Sequence, residues 1–326
     1  MILLLGSEDD PHLVLVSSAL GDLGVEHRFI DHKALTPVSL TIPGEVMRVG
    51  LESVRQDDIA LVWSRAKVIY QRYGEGDAYT NQFFWGRGWR TYFDEFSALL
   101  GERVVNSVAS VRASSDKLHQ LTVARGLGFE IPETLVSNDP TEIHDWGRRF
   151  SSVVIKALGD PAIPNVRKPF GQTVIMTTPV DWDLFAASLE GARVFPALYQ
   201  AEVPKRLELR VAVQGEAIFA FAVDSQARDY TKVDWRYGTQ LAIFEPFALP
   251  VEVAQFCRRY LAAFGLFAGH FDFILTPDDR YVFLECNPQG QWAWLDDLTK
   301  GEMSRQFAEG LANRAKSGAL PRVSAE

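Results

Sequence analysis

The chain opens on an apolar run, "MILLLG", followed by helix-spaced Leu13, Val16 and Leu20 and then by "EHRFID", a strand–helix–strand start of open α/β type. Further on, "NQFFWGRGWRTYFDEFSALL" places Trp85, Trp89, Tyr92, Phe93 and Phe96 at helical spacing. A stripe of this kind is read as core in preference to a dimer or peptide-docking face. A second block begins at Asn106, where Ser115 and Asp116 are suited to cap a helix running to about Leu127. After it, "GLGFEIPETLVSN" gives a glycine break, a proline turn and a strand, and Asp139–Pro140 marks a helix ending near Phe150. In the next strand, "SVVIKAL", Lys156 is out of phase with Val153 and Ile155 and so points away from their face.

Residues 159–172, "GDPAIPNVRKPFGQ", form a long loop that is either a solvated surface segment or a lid or binding loop. The third block starts near Phe195 with strands in "VFPALYQAEV", "ELRVAVQG" and "AIFAFAV", then the irregular "DSQARDYTKVDWRYG". A helix from Val251 to Phe264, a hairpin around "HFDFILTPDDRYVFLECNPQGQW" and a closing amphipathic helix in "GEMSRQFAEGLANRAK" complete it. The expected organisation is an α/β (α+β) chain of three units: 1–105, 106–195 and 196–326.

With 326 residues, 47% of them hydrophobic, the chain has the composition of a globular protein of two or three units. The formal charge of −9 disfavours nucleic acid as a partner, while leaving room for a local basic pocket. Cys257 and Cys286 fall in apolar segments and read as buried free thiols, which fits a reducing cytoplasm. The opening run is too short and lacks a basic leader for a signal peptide, and no segment suggests a membrane span. Gly6 alone stands in the first turn, so a dinucleotide fingerprint is missing.

The hairpin carries the chemistry. If its loop is Asp278–Asp279, Pro277 pairs with Arg280, Leu275 with Val282, Phe273 with Leu284, and Asp272 stands opposite Glu285, with Asn287 on the same face. Like charges directly opposed on a sheet are destabilising. Either one acid is exposed and the other salt-bridged, or a cation lies between them. Two carboxylates and an amide oxygen suit Mg²⁺, usually completed by phosphates. Cations for such phosphates are available in Lys117, in a predicted first helical turn, and Lys156, within an apolar strand. Glu208 and Arg210 share a strand face, either as a surface ion pair or as a ribose and oxyanion contact. His270, opposite Asn287 in this register, is read as a packed strand-end histidine. The histidines and cysteines form no evident catalytic triad.

The segments "SDKLHQ", "VVIKAL", "YQAEVPKRLELRV", "DWR" and "GHFDFILTPDDRYVFLECNPQGQW", in order from Ser114 to Trp294, resemble the ATP-grasp ligases, and among them the microviridin-type (graspetide) branch. The resemblance implies an ATP-grasp fold in which an N-terminal α/β domain precedes central and C-terminal domains that sandwich ATP. It implies that Lys117 and Lys156 contact phosphates, that Gln200, Glu202 and Val203 border the adenine, and that Glu208 takes the ribose. Asp272, Glu285 and Asn287 would bind Mg²⁺, and Arg210 and Arg236 would stabilise the transferring phosphate. The implied reaction activates an Asp or Glu side chain of a ribosomal precursor peptide as an acyl phosphate, which a Ser or Thr hydroxyl or a Lys amine captures. Arg167 and Lys168 would meet that peptide, and a homodimer is expected. At "DWRYGTQ" the chain departs from the related amino-acid-adding ligases and agrees with the peptide cyclases. A ligase acting on a free amino acid or metabolite, and a non-catalytic ATP- or peptide-binding module, are the alternatives.

Overall fold

The computed structural model describes residues 1–31, 37–41, 46–49, 52–65, 78–159, 162–164, 172–187, 189–241 and 243–317. The first unit contains β1 (Ile2–Gly6), α1 (Pro11–Asp22), β2 (His27–Asp31), β3 (Val38–Leu40), β4 (Val46–Val49), β5 (Glu52–Arg55), β6 (Leu61–Ser64), α2 (Ala78–Leu100) and β7 (Val104–Val105). A parallel sheet runs in the order β2-β1-β6-β7, with β3, β4 and β5 as a separate antiparallel sheet. The unbroken apolar run of β1 is explained by burial on both faces. Ile2 and Leu4 pack toward α1, while Leu3 and Leu5 pack toward α2. Phe93 and Phe96 lie in that second core with Trp89 and Tyr92 packed against it, as the aromatic stripe predicts; the Trp85 side chain lies outside the described residues.

The second unit comprises α3 (Val108–Ala113), α4 (Lys117–Gly126), β8 (Thr134–Ser137), α5 (Pro140–Gly147), β9 (Val153–Lys156), β10 (Ala162–Pro164), β11 (Gln172–Val174), β12 (Thr178–Pro179), α6 (Trp182–Ala187), α7 (Leu189–Ala192) and β13 (Ala197–Ala201). Its antiparallel sheet has the order β12-β9-β13-β8. Strand β13, which the sequence pattern groups with the later block, pairs with β8 and β9 instead, because its buried Ala197 and Tyr199 complete the small core around Ile143 and Val153. Asp139 caps α5, accepting from the Thr141 amide at 2.9 Å. Asp116 occupies the N-cap position of α4 without a side-chain capping bond, and the Ser115 hydroxyl donates to the Val111 carbonyl instead.

The third unit holds β14 (Leu207–Gln214), β15 (Ala217–Val223), β16 (Phe244–Pro246), α8 (Val251–Phe264), β17 (Ala268–Leu275), β18 (Tyr281–Asn287), α9 (Ala293–Asp296) and α10 (Glu302–Ser317). Its antiparallel sheet runs β16-β15-β14-β17-β18. Helices α4 and α8 cover one face, around Leu121, Phe256, Tyr260, Phe271 and Phe283. Helix α10 returns to the first unit, where Phe307 and Leu311 share a core with Leu13, Val16 and Leu20. Cys257 and Cys286 are buried free thiols. Among the described residues no helix is long and apolar enough to cross a membrane.

Hairpin β17–β18 differs from expectation in a way that matters for the site. Its turn is one residue longer than assumed. Thr276 and Arg280 close the ladder, and Asp279, at φ +64°, donates its amide to the Thr276 carbonyl at 3.1 Å. The pairs are therefore Leu275–Tyr281, Ile274–Val282 and Phe273–Phe283, correcting the expected Leu275–Val282 and Phe273–Leu284. A bulge then leaves Leu284 without a partner, and the register shifts back so that Asp272 faces Glu285 and His270 faces Asn287.

Candidate active site

The antiparallel sheets of the second and third units form the walls of a cleft of about 680 Å³. Strand β9 supplies Lys156 on the face opposite Val153 and Ile155, as alternation predicts. The N-terminus of α4 supplies Lys117, and β13 with the link that follows supplies Gln200, Glu202 and Val203. Strand β14 supplies Glu208 and Arg210, β17 supplies Asp272, β18 supplies Glu285 and Asn287, and the irregular segment before β16 supplies Arg236. All of these expected residues thus line one cavity. Arg167 and Lys168 lie outside the described residues.

Lys117 is positioned from two sides. The buried Gln120 carboxamide ties α4 to β18, donating to the Cys286 carbonyl at 3.0 Å and accepting from the Cys286 amide at 2.8 Å. The Lys117 ammonium reaches across to the Ala157 carbonyl at 2.5 Å, joining α4 to the end of β9. Nearby, burial pushes the Lys156 ammonium below the usual lysine range; Glu285 opposes this, and Lys117 and Lys205 add to it. A cavity with converging cations is thus present in a chain whose formal charge is −9.

The two opposed acids have a protein partner as well. Arg210 is the cross-strand neighbour of Asp272, and its Nη1 donates to both carboxylate oxygens at 2.9 Å. The side chains are 11% and 24% exposed, so the pair is largely desolvated. Burial pushes the Asp272 carboxyl up, against Arg210 and with Glu285 adding to the rise. Sequence reasoning set a cation between the acids; the structure shows a guanidinium already on one of them. Arg236 is held in a fork by Asp234, with Nε to Oδ1 at 2.8 Å and Nη2 to Oδ2 at 2.6 Å. The Asp234 bonds raise Arg236 above its ordinary range, so it stays charged beside Glu285 and Asp272.

Asp272, Glu285 and Asn287 present oxygen donors only, with two negative charges among them, and this set fits Mg²⁺. Among the described residues no group of three His, Cys, Asp or Glu side chains forms a metal site, in keeping with a set whose third member is an amide. The Asn287 Oδ1 accepts from the Gln289 amide at 2.9 Å, which fixes its orientation. His270 is buried, its Nδ1 is 3.4 Å from the Asn287 carbonyl, and burial first, then Arg210 and Arg65, keeps it neutral. It is a packed strand residue, as expected.

Sequence reasoning missed Lys205. Its ammonium, 8% exposed, donates to Glu208 Oε1 at 3.0 Å and to the Val233 carbonyl at 2.6 Å, linking β14 to the segment that carries Asp234 and Arg236. Burial raises Glu208, and Lys205 opposes that rise. The signal was a lysine directly after Pro204 and before an apolar strand, a position with no room for a solvated side chain once the strand turns inward. Also missed were the apolar walls. Ile274 alternates with Asp272 on the cleft face, and the bulge brings Leu284 onto that face beside Glu285, where Trp235 and Trp294 close the rim.

No protein-family model matches the sequence, and no curated protein matches it. Solved structures do. Macrocyclase MdnC from Microcystis aeruginosa MRC, solved with its precursor peptide MdnA, superimposes with a TM-score of 0.83 at 29% identity, covering 96% of this chain and 99% of that one. A RiPP-associated ATP-grasp ligase from Chryseobacterium gregarium, solved with ADP and a leader and core peptide, gives a TM-score of 0.80 at 24% identity and 96% coverage of both chains. The ATP-grasp ligase PsnB, complexed with a minimal precursor, Mg and ADP, gives 0.74 at 20% identity, with 97% and 98% covered. Fold and cleft together therefore define an enzyme of the ATP-grasp ligase class. Within that class the chain is similar to the graspetide-type ligases, as the motif resemblance implies.

Proposed function

We propose that this protein is an ATP-dependent, ADP-forming ligase that closes side-chain ester or amide rings in a ribosomal precursor peptide. The observation that carries this reading is the convergence of Lys117, Lys156, Arg210 and Arg236 on the same cavity as Asp272, Glu285 and Asn287. Gln200, the Glu202–Val203 link and the apolar pair Ile274 and Leu284 form the adenine end, and Glu208 takes the ribose, released from Lys205 or sharing it. Lys117 and Lys156 meet the phosphates. The cost of burying Lys156 is offset when the triphosphate brings negative charge to it.

Asp272, Glu285 and Asn287 hold Mg²⁺, which supplies charge neutralisation at the phosphate oxygens. Arg210, oriented by Asp272, and Arg236, oriented by Asp234, face the transferring phosphoryl group. A peptide Asp or Glu carboxylate attacks the γ-phosphorus and ADP leaves. A Ser or Thr hydroxyl or a Lys amine then attacks the acyl phosphate carbon, losing its proton as phosphate departs. The protein contributes positioning and fixed charge, and no enzyme nucleophile is needed.

Arg167 and Lys168 are proposed to contact the peptide, on sequence grounds, and a homodimer in a reducing cytoplasm is part of the same reading. Charge reversal at 167 and 168 tests the first by weakening peptide binding more than ATP binding; light scattering tests the second. The deciding experiment is co-expression with a short, Thr- and Asp/Glu-rich peptide encoded beside the gene, followed by mass measurement. Each ring formed appears as loss of one water. An unchanged peptide mass, with ADP formed only on adding a free amino acid, would refute the proposal.

A further inference from the structure

Among the described residues, the first unit contributes nothing to the cleft wall, yet a polar trio, two of its members buried, connects it to the site. Asp10 caps α1 through the His12 amide at 3.0 Å. Its carboxylate also engages His12 Nδ1 at 2.6 Å and accepts from Arg65 Nε at 2.9 Å. His12 and Arg65 are 1% and 5% exposed. On the far side of the ring, the backbone amides of Trp292 and Ala293 both donate to His12 Nε2, at 2.8 and 3.0 Å. Arg65 Nη1 donates to the Gly290 carbonyl at 3.2 Å.

Two donors converging on Nε2 require a lone pair there, so the ring proton sits on Nδ1 and Asp10 accepts it. The segment gripped in this way, 290–293, lies directly against Arg210. The Gln291 carbonyl accepts from Arg210 Nη2 at 3.2 Å, and a Cβ on Gly290 would lie 2.9 Å from that same nitrogen. Arg210 Nη1, in turn, is on Asp272.

We infer that His12 is a positioning residue: with Asp10 and Arg65 it fixes segment 290–293, so that the Gln291 carbonyl and the close-packed Gly290 hold the Arg210 guanidinium over Asp272. It touches neither nucleotide nor metal. The inference rests on the proposed role of Arg210 in phosphate transfer, and the test separates the two. His12→Leu removes the acceptor from a buried site, while His12→Gln can return an oxygen near the Nε2 position.

Basal ADP formation from Mg·ATP and hydrogen exchange of amides 291–296 are measured on both variants. His12→Leu is expected to lower kcat roughly 10- to 100-fold, with KM for ATP within about twofold of wild type. Exchange at 291–296 should accelerate in parallel, and His12→Gln should recover most of both. Should His12→Leu not fold, Asp10→Asn, which frees the ring to adopt the wrong tautomer, is compared with His12→Gln in its place. A His12→Leu protein with a lower melting temperature but wild-type kcat and protection would overturn the inference. So would a His12→Gln protein as slow as His12→Leu with segment 291–296 fully protected, since the ring would then take part in the chemistry. If wild-type protein forms no ADP in the absence of an acceptor carboxylate, exchange at 291–296 alone decides the role of His12, and the ligase reading is decided separately by the peptide mass.

Discussion

Replacing Arg210 by Met removes the guanidinium from Asp272 while keeping an unbranched side chain on β14. Breaking a buried ion pair by deleting one partner costs about 3–5 kcal/mol, because the remaining charge is left uncompensated. Asp272 retains 24% exposure, and among the described residues the buried Arg210 Nε has no hydrogen-bond partner whose loss would add to the cost. Both facts pull the expectation to the low end, about 3 kcal/mol. Glu285, directly opposite, ensures that the orphaned carboxylate faces another negative charge instead of water. At about 1.5 °C per kcal/mol for a chain of 326 residues, the metal-free protein should melt about 4–5 °C lower. The control is the double variant Arg210→Met with Asp272→Asn. With the orphaned charge removed, it should recover more than half of the loss, giving a coupling of about 1–2 kcal/mol in a double-mutant cycle. Thermal melts in EDTA read all four proteins. Additive effects, with the double variant less stable than Arg210→Met alone, would mean that Arg210 is not balancing the opposed acids.

Glu285→Gln removes one of the two facing charges, so it should abolish ADP formation while leaving the metal-free melting temperature at or above wild type; activity equal to wild type would remove Glu285 from the metal set. Lys156→Met should raise metal-free stability at pH 7, since a buried ammonium with a lowered pKa is penalised in its charged form, by about 1.4 kcal/mol per pH unit of depression. The same substitution should eliminate nucleotide binding, read by titration calorimetry with Mg·ADP. Asp10 is half-buried, and its bonds to His12 and Arg65 outweigh that partial burial and hold its carboxyl well below the ordinary value of 3.8. Its contribution is therefore present above pH 3.8 and is lost as pH falls further. Asp10→Asn should show a constant deficit in urea midpoint from pH 8 to about pH 5 that closes toward acid.

Much of the site was legible because each residue obeys a local rule. The period of two sends Lys156 away from Val153 and Ile155, and it places Glu208 with Arg210 on one face of β14. Helix α8 starts at Val251 and stops at Phe264, before Gly265 with φ +64°, as the expected bounds require. What was not legible depends on distant neighbours. Nothing near Ala197 says that its strand joins β8 and β9 and not β14. His12 and Trp292, 280 residues apart, meet only through the packing of α1 against α10, and each alone looks like ordinary core.

Hairpin β17–β18 shows why a correct pairing can rest on an incorrect register. The opposition of Asp272 and Glu285 was deduced from a two-residue loop, and a loop longer by one residue would have turned Glu285 to the helix-covered face. The loop is longer, and the bulge at Leu284 cancels the shift. The two irregularities serve different ends. The turn is set by local bonds, with Asp279 left-handed and the Arg280 amide donating to the Thr276 hydroxyl at 2.9 Å. The bulge is set by the faces the strand must serve. Phe283 has to enter the core with Phe256 and Tyr260, while Glu285 has to reach Asp272 on the other side. Phe283 and Glu285 are two apart and would share a face on a regular strand, so one extra residue between the core and the cleft is the only way to satisfy both. Placing Leu284 on the cleft face next to Glu285 follows from the same insertion, and it gives the cavity an apolar wall beside its acids.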